Sequence, residues 1–334
     1  MDIRVIIGVQ AISSARPASV PSRHTSVRFQ RPLAAFLVAA STVAVAVPFT
    51  AIAQRAASAR LMPRPGRVAT VVASAPRRSA RLVWSDEFDG PAGARPDSTK
   101  WGHELGDGCA AGNCGWGNNE KERYTSEAAN ASLTGNGMLA ITARVAPAGT
   151  SCYYGPCRYT SAKLTTKGKY EPAYGRAEAR IKLPRGQGLW PAFWMLGSGF
   201  PATPWPASGE IDIMEFRGSR PFETSSAMHG PGYSGDKTPF VHRHGGDGFS
   251  FVDGFHTYAA EWEPGQVRFY VDDALHYTVN RSATASLGDW AFDHSFYIIL
   301  NLAVGGGFDG DPASDAIFPA TMLVDWVRVY AGGL

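Results

Sequence analysis

Short segments in which polar and apolar residues alternate fill the chain from Leu82 onward, and they constrain the fold more than any other feature. In Gly175–Leu183, arginine, glutamate, arginine and lysine alternate with alanine, alanine, isoleucine and leucine. Such alternation is typical of an antiparallel strand with one face buried and one face in water. Almost no segment repeats apolar residues at the helical period over three turns. The chain is therefore predicted to be all-β.

Three further stretches fit this prediction. Tyr258–Trp262 and Val267–Tyr270 flank the sequence Glu-Pro-Gly-Gln, which predicts a hairpin. Phe296–Val304 is apolar apart from Asn301, as expected of a central strand covered on both faces, and Met322–Tyr330 is a last β-rich segment. Many short strands separated by Gly/Pro turns indicate a sandwich or a barrel.

The N-terminal region has the features of an export signal. Arg23, Arg28 and Arg31 precede the uncharged run Leu33–Val47, and Ala51-Ile52-Ala53 then offers small residues for cleavage. We therefore predict a signal peptide over residues 1–53, removed from a secreted protein.

Two alternatives concern this leader. Leu33–Ala53 reaches the roughly 20 residues that an uncleaved membrane anchor needs. The leader is also long, and translation from a start codon at Val20 or Val27 would shorten it.

Residues 54–79 are rich in Arg, Ala, Pro and Ser and predict a flexible basic linker. One folded domain is predicted to follow over residues 80–334.

The charge of the chain is divided unevenly. Residues 1–79 hold eleven arginines and one acid, a net +10, so residues 80–334 carry about −7 against +3 for the whole chain. Nucleic-acid binders carry clustered Lys and Arg on their folded part. A nucleic-acid partner is therefore not expected, and a neutral polymer fits better.

Four cysteines form two C-x4-C pairs: Cys109 with Cys114 in sequence, and Cys152 with Cys157. In an exported chain they predict two disulfides, and three connectivities remain open. A local pairing would stiffen a loop and add little global stability, because the loop it closes is short. A zinc site is the alternative, but the usual C-x2-C spacing is absent.

The segment 209–216 places three carboxylates on one predicted strand: Glu210, Asp212 and Glu215. Alternation puts Glu210 and Asp212 on one face and Glu215 on the other, toward the core, where a lone carboxylate is costly. One extra residue near Ile213-Met214, a β-bulge, would return Glu215 to the face of the other two.

Two carboxyl groups on one face, about 5–5.5 Å apart, are what a retaining glycosidase needs: one ionised nucleophile and one protonated acid. The alternative is an ordinary exposed strand face, which usually interleaves cations with acids. Here no cation precedes Arg217. The pattern therefore favours a catalytic cluster.

The sequence resembles glycoside hydrolase family 16, in particular its laminarinase-like members, over most of Leu82–Tyr330. The resemblance is based on the E-x-D-x-x-E signature that begins at Glu210, and on several other segments. These are Trp84–Phe88, Gly115–Glu120, Thr160–Lys163, Leu189–Met195, Asn301–Gly306 and Asp325–Tyr330.

This resemblance implies a β-jelly-roll sandwich of two antiparallel sheets with a substrate cleft. It implies endo-acting, retaining hydrolysis of β-1,3-glucan, with Glu210 as nucleophile, Glu215 as acid/base and Asp212 positioning Glu210. The bulged spacing is similar to that of the β-1,3-glucanases, whereas the lichenases lack the extra residue.

A neutral glucan needs aromatic platforms and hydrogen-bonding groups rather than a strong field. Trp190 and Trp194, four apart on one predicted strand, and Trp205 match cleft positions of the family. Trp262 and Trp326 lie within alternating strands, and we expect them in the core.

The resemblance also implies substrate contacts for residues elsewhere in the chain. Lys163 stands where many relatives carry Arg, which changes the hydroxyl contacts available there. His229 resembles a cleft histidine that binds substrate near the cut bond. Asn301 interrupts an apolar strand, and a buried amide there must be hydrogen-bonded, either to the chain or to sugar. The remaining matches are Asn119 and Arg123. For His242 and His244, solvent exposure is expected over a metal-binding role.

A structural Ca²⁺ is implied by the resemblance, held by the backbone oxygens of Glu87 and Gly137 and by Asp325. No cofactor is expected for catalysis. The expected partner is a β-glucan, with no nucleic acid, no stable membrane association after cleavage, and a monomeric protein.

Two alternative functions remain open at this point. Within the enzyme class, the substrate could be a mixed-linkage β-1,3-1,4-glucan, agar or carrageenan, or the reaction could be a transglycosylation. Sulfated galactans fit least, because they would favour a cationic cleft and residues 80–334 carry about −7. In another class, the chain could be a non-catalytic β-glucan-recognition module, although such modules have lost catalytic acids and this sequence keeps both glutamates.

Overall fold

The computed structural model describes residues 80–246 and 248–332. The predicted signal peptide over residues 1–53 and the linker over residues 54–79 lie outside these ranges and stay predictions. No helix within the described ranges is long and apolar enough to cross a membrane.

Nineteen strands form nearly all of the regular structure in the described residues. Their bounds are β1 Arg81–Asp86, β2 Gly102–His103, β3 Glu122–Tyr124, β4 Ala131–Leu133, β5 Leu139–Val145, β6 Ser151–Cys152, β7 Gly155–Pro156, β8 Tyr159–Ser161, β9 Lys163–Thr165, β10 Gly175–Lys182, β11 Leu189–Gly197, β12 Glu210–Phe216, β13 Glu223–His229, β14 Val241–Gly245, β15 His256–Glu263, β16 Gln266–Val271, β17 Ala274–Asn280, β18 Phe296–Val304 and β19 Ala320–Ala331.

Helical structure in the same ranges is limited to short turns, as the missing helical period predicts. One α-helical turn, α1, covers Arg281–Thr284. The 3₁₀ turns are Cys109–Ala111, Cys114–Gly117, Gly235–Lys237 and Asp315–Ile317.

The strands form two main sheets and one small hairpin. Sheet A has ten strands, in the order β17-β16-β15-β10-β19-β5-β8-β3, with β1 beside β19 and β4 beside β5. Sheet B has seven strands, in the order β14-β13-β12-β11-β18-β9-β2, and β6 pairs with β7. Pairing is antiparallel except between β3 and β8. The all-β prediction is confirmed, and the architecture is a sandwich.

The inner faces of the two sheets meet in one continuous apolar core. Sheet B contributes alternate residues of its strands, and so does sheet A, because side chains alternate faces along a strand. The contributors include Phe193, Ile211, Met214, Phe216 and Ile298 from sheet B and Ile181, Trp262, Phe269 and Val327 from sheet A. Burial of this apolar surface is the main term that holds the sheets together.

Two strand predictions are confirmed and a third needs correction. The hairpin β15-β16 forms as expected, and every residue of β18 is buried. Strand β10, predicted to have one face in water, instead buries Arg176 and Glu178 to 2% and 4% exposure. The strand lies between β15 and β19 rather than at an edge, and its charged groups find partners there.

Trp262 is buried as predicted, but the prediction for Trp326 is wrong. Strand β19 has one extra residue at Asp325 relative to β10, and this irregularity shifts the facing of the next side chain. Trp326 is therefore only partly buried, on the outer face. There its ring centroid lies 4.1 Å from the guanidinium carbon of Arg328.

Both predicted disulfides form, and each joins the two cysteines of one C-x4-C pair. Cys109 bonds to Cys114, and Cys152 bonds to Cys157 across the β6-β7 hairpin. No cysteine is left free in the described residues. The zinc alternative is therefore wrong.

Candidate active site

A β-bulge in β12 brings the three carboxylates to one face, as the sequence predicts. Along β13, Asp212 faces Ala227 and Glu215 faces Ser225, so two residues of β12 stand opposite Ser226 alone. The Oγ of Ser226 donates a hydrogen bond to the carbonyl of Ile213, at 2.8 Å, which stabilises the bulge. Ile213 and Met214 are both buried, whereas Glu215 is partly exposed.

Two tryptophan N–H groups hold the outer two carboxylates. Trp205 Nε1 donates to Glu210 Oε2 at 3.0 Å, and Trp190 Nε1 donates to Glu215 Oε1 at 3.1 Å. Burial raises the pKa of Glu210 and of Glu215 to about 8, and the neighbouring charge of Asp212 acts in the same direction. Burial alone raises the pKa of Asp212 to about 8.

His229 is the ring that faces the acids, and its tautomer follows from its neighbours. The backbone N–H of Gly235 donates to Nδ1 at 3.1 Å, so Nδ1 carries a lone pair. The proton of the neutral ring is then on Nε2. This nitrogen lies 3.2 Å from Asp212 Oδ2 and 3.8 Å from Glu210 Oε1.

The same three residues have donor atoms within 4.8 Å of one another, so Glu210, Asp212 and His229 could hold a metal ion. A metal at this position would have to displace the proton from His229 Nε2. It would also neutralise the carboxylates that a double displacement uses.

A buried chain of hydrogen bonds fixes the ring of Trp194. Its Nε1 donates to Asn301 Oδ1 at 2.8 Å, Asn301 Nδ2 donates to the Tyr124 hydroxyl at 3.1 Å, and that hydroxyl donates to Glu120 Oε2 at 3.2 Å. The amide that interrupts apolar β18 is thus satisfied by protein groups on both sides, as a buried amide must be.

Lys163 lies beside this chain. Its ammonium group forms an ion pair with Glu104 at 2.7 Å and lies 4.4 and 4.9 Å from the ring centroids of Trp116 and Trp194. A cation over aromatic faces is an attractive contact. Lys163 therefore packs against the rings of Trp116 and Trp194 and is not committed to sugar contacts alone.

Two residues that the resemblance implies as sugar contacts are less closely connected to the acids. Asn119 is exposed, with a left-handed φ of 61°, in the loop before β3. Arg123 is exposed on β3 between the buried Glu122 and Tyr124, and its guanidinium donates to the Ser151 carbonyl at 3.3 Å. The structure thus places Arg123 against the β6-β7 hairpin and does not bring it to the carboxylates.

An aromatic residue that sequence reasoning missed, Phe308, lies beside Trp190 near Glu215. We use the name aromatic wall for four rings: those of Trp190, Trp194, Trp205 and Phe308. Phe308 stacks on Trp190 with ring centroids 4.6 Å apart, and the guanidinium carbon of Arg217 lies 3.7 Å from the centroid of Phe308. The signal was an isolated phenylalanine in the glycine-rich run 305–310, directly after β18.

The expectation of solvent exposure for His242 and His244 is wrong. Both rings are partly buried and turn toward His276, with centroid distances of 5.3 and 4.9 Å. Because β14 and β17 are edge strands of the two sheets, these rings lie where the two edges meet. Burial and the two neighbouring rings lower the pKa of His276 to about 3.

The residues implied for calcium fit the ion only in part. A Cβ at Gly137 would lie 3.9 Å from the Glu87 carbonyl oxygen, so these two backbone segments are neighbours. Asp325 Oδ2, however, accepts a hydrogen bond from Arg180 at 2.5 Å. The carboxylate would have to leave this ion pair to bind calcium, and the site stays a prediction.

Comparisons with known proteins agree with this geometry. The family model described as "Glycosyl hydrolases family 16" matches residues 116–328. A β-glucanase of Rhodothermus marinus is 40% identical over 75% of this chain and 84% of its own length. Two solved structures each cover 76% of this chain with a TM-score of 0.71. They are the laminarinase catalytic domain of Thermotoga maritima (43% identity, 98% of that chain) and the endo-β-1,3-glucanase of Pyrococcus furiosus (44%, 95%). This chain belongs to glycosyl hydrolase family 16.

Proposed function

We propose that this family 16 glycoside hydrolase cuts β-1,3-glucan from within, by double displacement, with Glu210 as nucleophile and Glu215 as acid/base. The observation that carries the proposal is the bulge at Ile213-Met214, because it turns Glu215 to the face of Glu210. Without the extra residue, Glu215 would point into the core, and Glu210 and Asp212 would face the substrate without it.

Glu210 has the surroundings of a nucleophile. The Trp205 N–H and the nearby cation of Lys163 favour its ionised form, and His229 acts in the same direction when it is charged. Its carboxylate oxygen bonds to the anomeric carbon as the glycosidic C–O bond breaks. A covalent glycosyl-enzyme ester results.

Burial and the charge of Asp212 raise the pKa of Glu215 as they raise that of Glu210, so the two carboxyls share protons at neutral pH, and we place one on Glu215. Trp190 donates to Oε1, so the proton resides on the other oxygen, from which it passes to the leaving sugar oxygen. In the second step the Glu215 carboxylate removes a proton from water. The water oxygen then attacks the anomeric carbon and the ester bond to Glu210 breaks, with net retention.

Asp212 lies between the two glutamates in sequence, and its charge helps to raise the pKa of both above the value of an ordinary surface acid. Its charge disfavours ionisation of both neighbours, and the His229 Nε2–H faces it. When Glu210 becomes an ester and loses its charge, ionisation of the remaining carboxyls becomes easier. Formation of the ester on Glu210 therefore helps Glu215 to ionise and act as a base in the second step.

The substrate class is proposed from the aromatic wall and from the relatives. Trp190, Trp194, Trp205 and Phe308 give flat apolar surface beside hydrogen-bonding groups, which suits the C–H faces and hydroxyls of a glucan. The solved relatives with 43% and 44% identity are named for laminarin and β-1,3-glucan. We propose the same linkage here.

The test is product analysis on three neutral polymers: laminarin, lichenan and barley β-glucan. Rapid release of a series of oligosaccharides from laminarin supports endo-β-1,3 cleavage. Equal or exclusive cleavage of lichenan would assign a mixed-linkage enzyme, and transfer products longer than the donor would assign a transglycosylase. Binding of laminarin with no cleavage by the wild-type protein would make the chain a recognition module.

We also propose that the enzyme acts outside the cell, after removal of the leader. The two disulfides formed by all four cysteines of the chain support this, because such bonds persist in oxidising compartments. Mass spectrometry of protein secreted by its own host tests the proposal, with an N-terminus near residue 54 as the expected result.

The proposed calcium site is tested by thermal melts. An unchanged melting temperature between EDTA and millimolar Ca²⁺ would rule the site out.

A further inference from the structure

Three arginines gather around one carboxylate at the end of β12 and β13. Arg220 lies 3.2 Å from Glu223 Oε1, Arg243 lies 3.5 Å from it and Arg217 lies 3.8 Å from it. We call these four residues the arginine cluster. Within the described part of the chain Glu223 is the acid that all three share, so the cluster keeps an excess of positive charge. Consistent with mutual repulsion, burial and the charges of Arg243 and Arg220 lower the pKa of Arg217.

Another acid close to the cluster, Asp309, is already engaged. Asp309, next to Phe308, accepts hydrogen bonds from the backbone N–H groups of Gly188 and Ser219 at 2.8 and 3.1 Å, and from the Ser219 hydroxyl. This carboxylate therefore orders the loop around the cluster. It does not form an ion pair with the three guanidinium groups.

Strand register puts the cluster on the catalytic face of sheet B. Glu215 faces Ser225 across β12-β13, and Ser225 faces Arg243 across β13-β14. Residues directly opposite each other on neighbouring strands point to the same side of a sheet. Arg243 thus lies on the face of the carboxylates, two strands and roughly 10 Å from Glu215.

A continuous wall also connects the cluster to Glu215. Trp190 donates to Glu215, Phe308 stacks on Trp190, and Arg217 lies over the outer face of Phe308. A polysaccharide that leaves the acid/base along this wall reaches the guanidinium groups.

A cavity at the cluster can hold a sugar ring. It has a volume of about 500 Å³, and its lining includes Arg220, Phe222, Arg243 and His244. The Phe222 side chain is 48% exposed, so it offers an aromatic face beside the cations. A stacking ring next to guanidinium groups suits a sugar that bears a carboxylate, because guanidinium binds carboxylate through paired hydrogen bonds.

We propose that the arginine cluster is a distal subsite that binds a carboxylate-bearing sugar of the glucan chain, beyond Glu215 in the direction of β14. The inference rests on the proposed function and narrows its substrate to glucans with acidic substituents. The net charge of about −7 on residues 80–334 favours a neutral polymer overall. The arginine cluster is locally positive although residues 80–334 are negative as a whole, so an acidic sugar would be attracted at this position.

The test compares kcat/KM on laminarin with kcat/KM on a lightly carboxymethylated β-1,3-glucan, at low ionic strength. The wild-type protein is expected to prefer the acidic polymer, and Arg243→Gln and Arg220→Gln should each lower the acidic-to-neutral ratio by about tenfold or less, with the double variant lowest. Salt at 0.5 M should reduce the wild-type ratio, because it screens exposed charges. Arg158→Gln is the matched control, an exposed arginine paired with Asp315, and it should keep the ratio.

An unchanged ratio in both cluster variants, or equal losses on the two polymers, would overturn the inference. Affinity electrophoresis in gels that contain either polymer gives the same comparison without turnover. The outcomes for the two proposals are thus separable: laminarin cleavage by the wild-type protein tests the proposed function, and the ratio tests the subsite.

Discussion

The outer faces of the two sheets each carry buried or half-buried charges, but the two groups are built in opposite ways. On sheet A, Arg176 lies between Glu178, Glu261 and Asp273 at 2.7, 3.0 and 2.9 Å. On sheet B, tryptophan N–H groups donate to Glu210 and Glu215, and His229 Nε2 lies 3.2 Å from Asp212 Oδ2. The first group is compensated and the second is not.

The difference is visible in the protonation of the two groups. Neighbouring carboxylates raise the pKa of Arg176 despite its burial, so that its charge is secured. Burial raises the pKa values of the three acids on sheet B to about 8. A compensated buried charge contributes to structure, whereas an uncompensated group of acids lowers stability and is typical of functional sites.

The largest expected effect is on kcat, and it should separate Glu215 on sheet B from Glu178 on sheet A. Glu215→Gln should lower kcat on laminarin at least about 10³-fold without a loss of melting temperature, because the amide cannot donate the catalytic proton. Glu178→Gln, equally conservative and on the opposite sheet, should keep kcat within a few-fold. Steady-state kinetics and thermal melts of both purified variants check this. Comparable activity losses in the two would erase the distinction.

The second effect concerns stability. Arg176→Met should lower the free energy of unfolding by about 3–5 kcal/mol, because it leaves Glu178 buried without its partner. Arg180→Met is the matched control on the same strand: its side chain is 40% exposed and it pairs only with Asp325 among the described residues. Its expected cost is below about 1 kcal/mol. Equal costs in urea unfolding would show that burial does not separate the two arginines.

A smaller, opposite effect is expected at Glu210, the proposed nucleophile. The pKa of Glu210 is raised on folding, so its cost to stability is absent below the unfolded pKa near 4 and grows as pH rises toward about 8. Glu210→Gln removes this cost and should stabilise the protein by about 1–2 kcal/mol at pH 8, while abolishing turnover. Melting temperatures at pH 4.5 and pH 8 measure it. A gain that is the same at both pH values would contradict the proposed origin.

The catalytic strand could be predicted in detail because two constraints conflict on it. Alternation would send Glu215 inward, an isolated carboxylate is costly there, and a bulge resolves the conflict. The hairpin β15-β16 and buried strand β18 follow equally from local pattern. Local sequence therefore determined the backbone that carries the acids.

What the sequence could not predict depends on partners far along the chain. Arg176 is buried because Glu261 of β15 and Asp273 of the β16-β17 turn reach it, and alternation alone predicts water on that face. Trp326 lies outside the core because of the irregularity in β19, which alternation along that strand did not predict. Phe308 joins the site only because a loop after β18 returns to Trp190. Disulfide connectivity was open for a different reason: both bonds are local, but spacing alone does not exclude a bond between the two pairs.

The roles of the two glutamates are tested most directly by azide rescue of their alanine variants on an activated aryl β-1,3-oligoglucoside. Azide should enter the space left in Glu210→Ala and attack the anomeric carbon directly, which gives an α-glycosyl azide. In Glu215→Ala it should replace water in the second step and give the β-glycosyl azide. NMR of the products identifies the anomers. The opposite assignment, or no azide product from either variant, would contradict a double displacement at Glu210 assisted by Glu215.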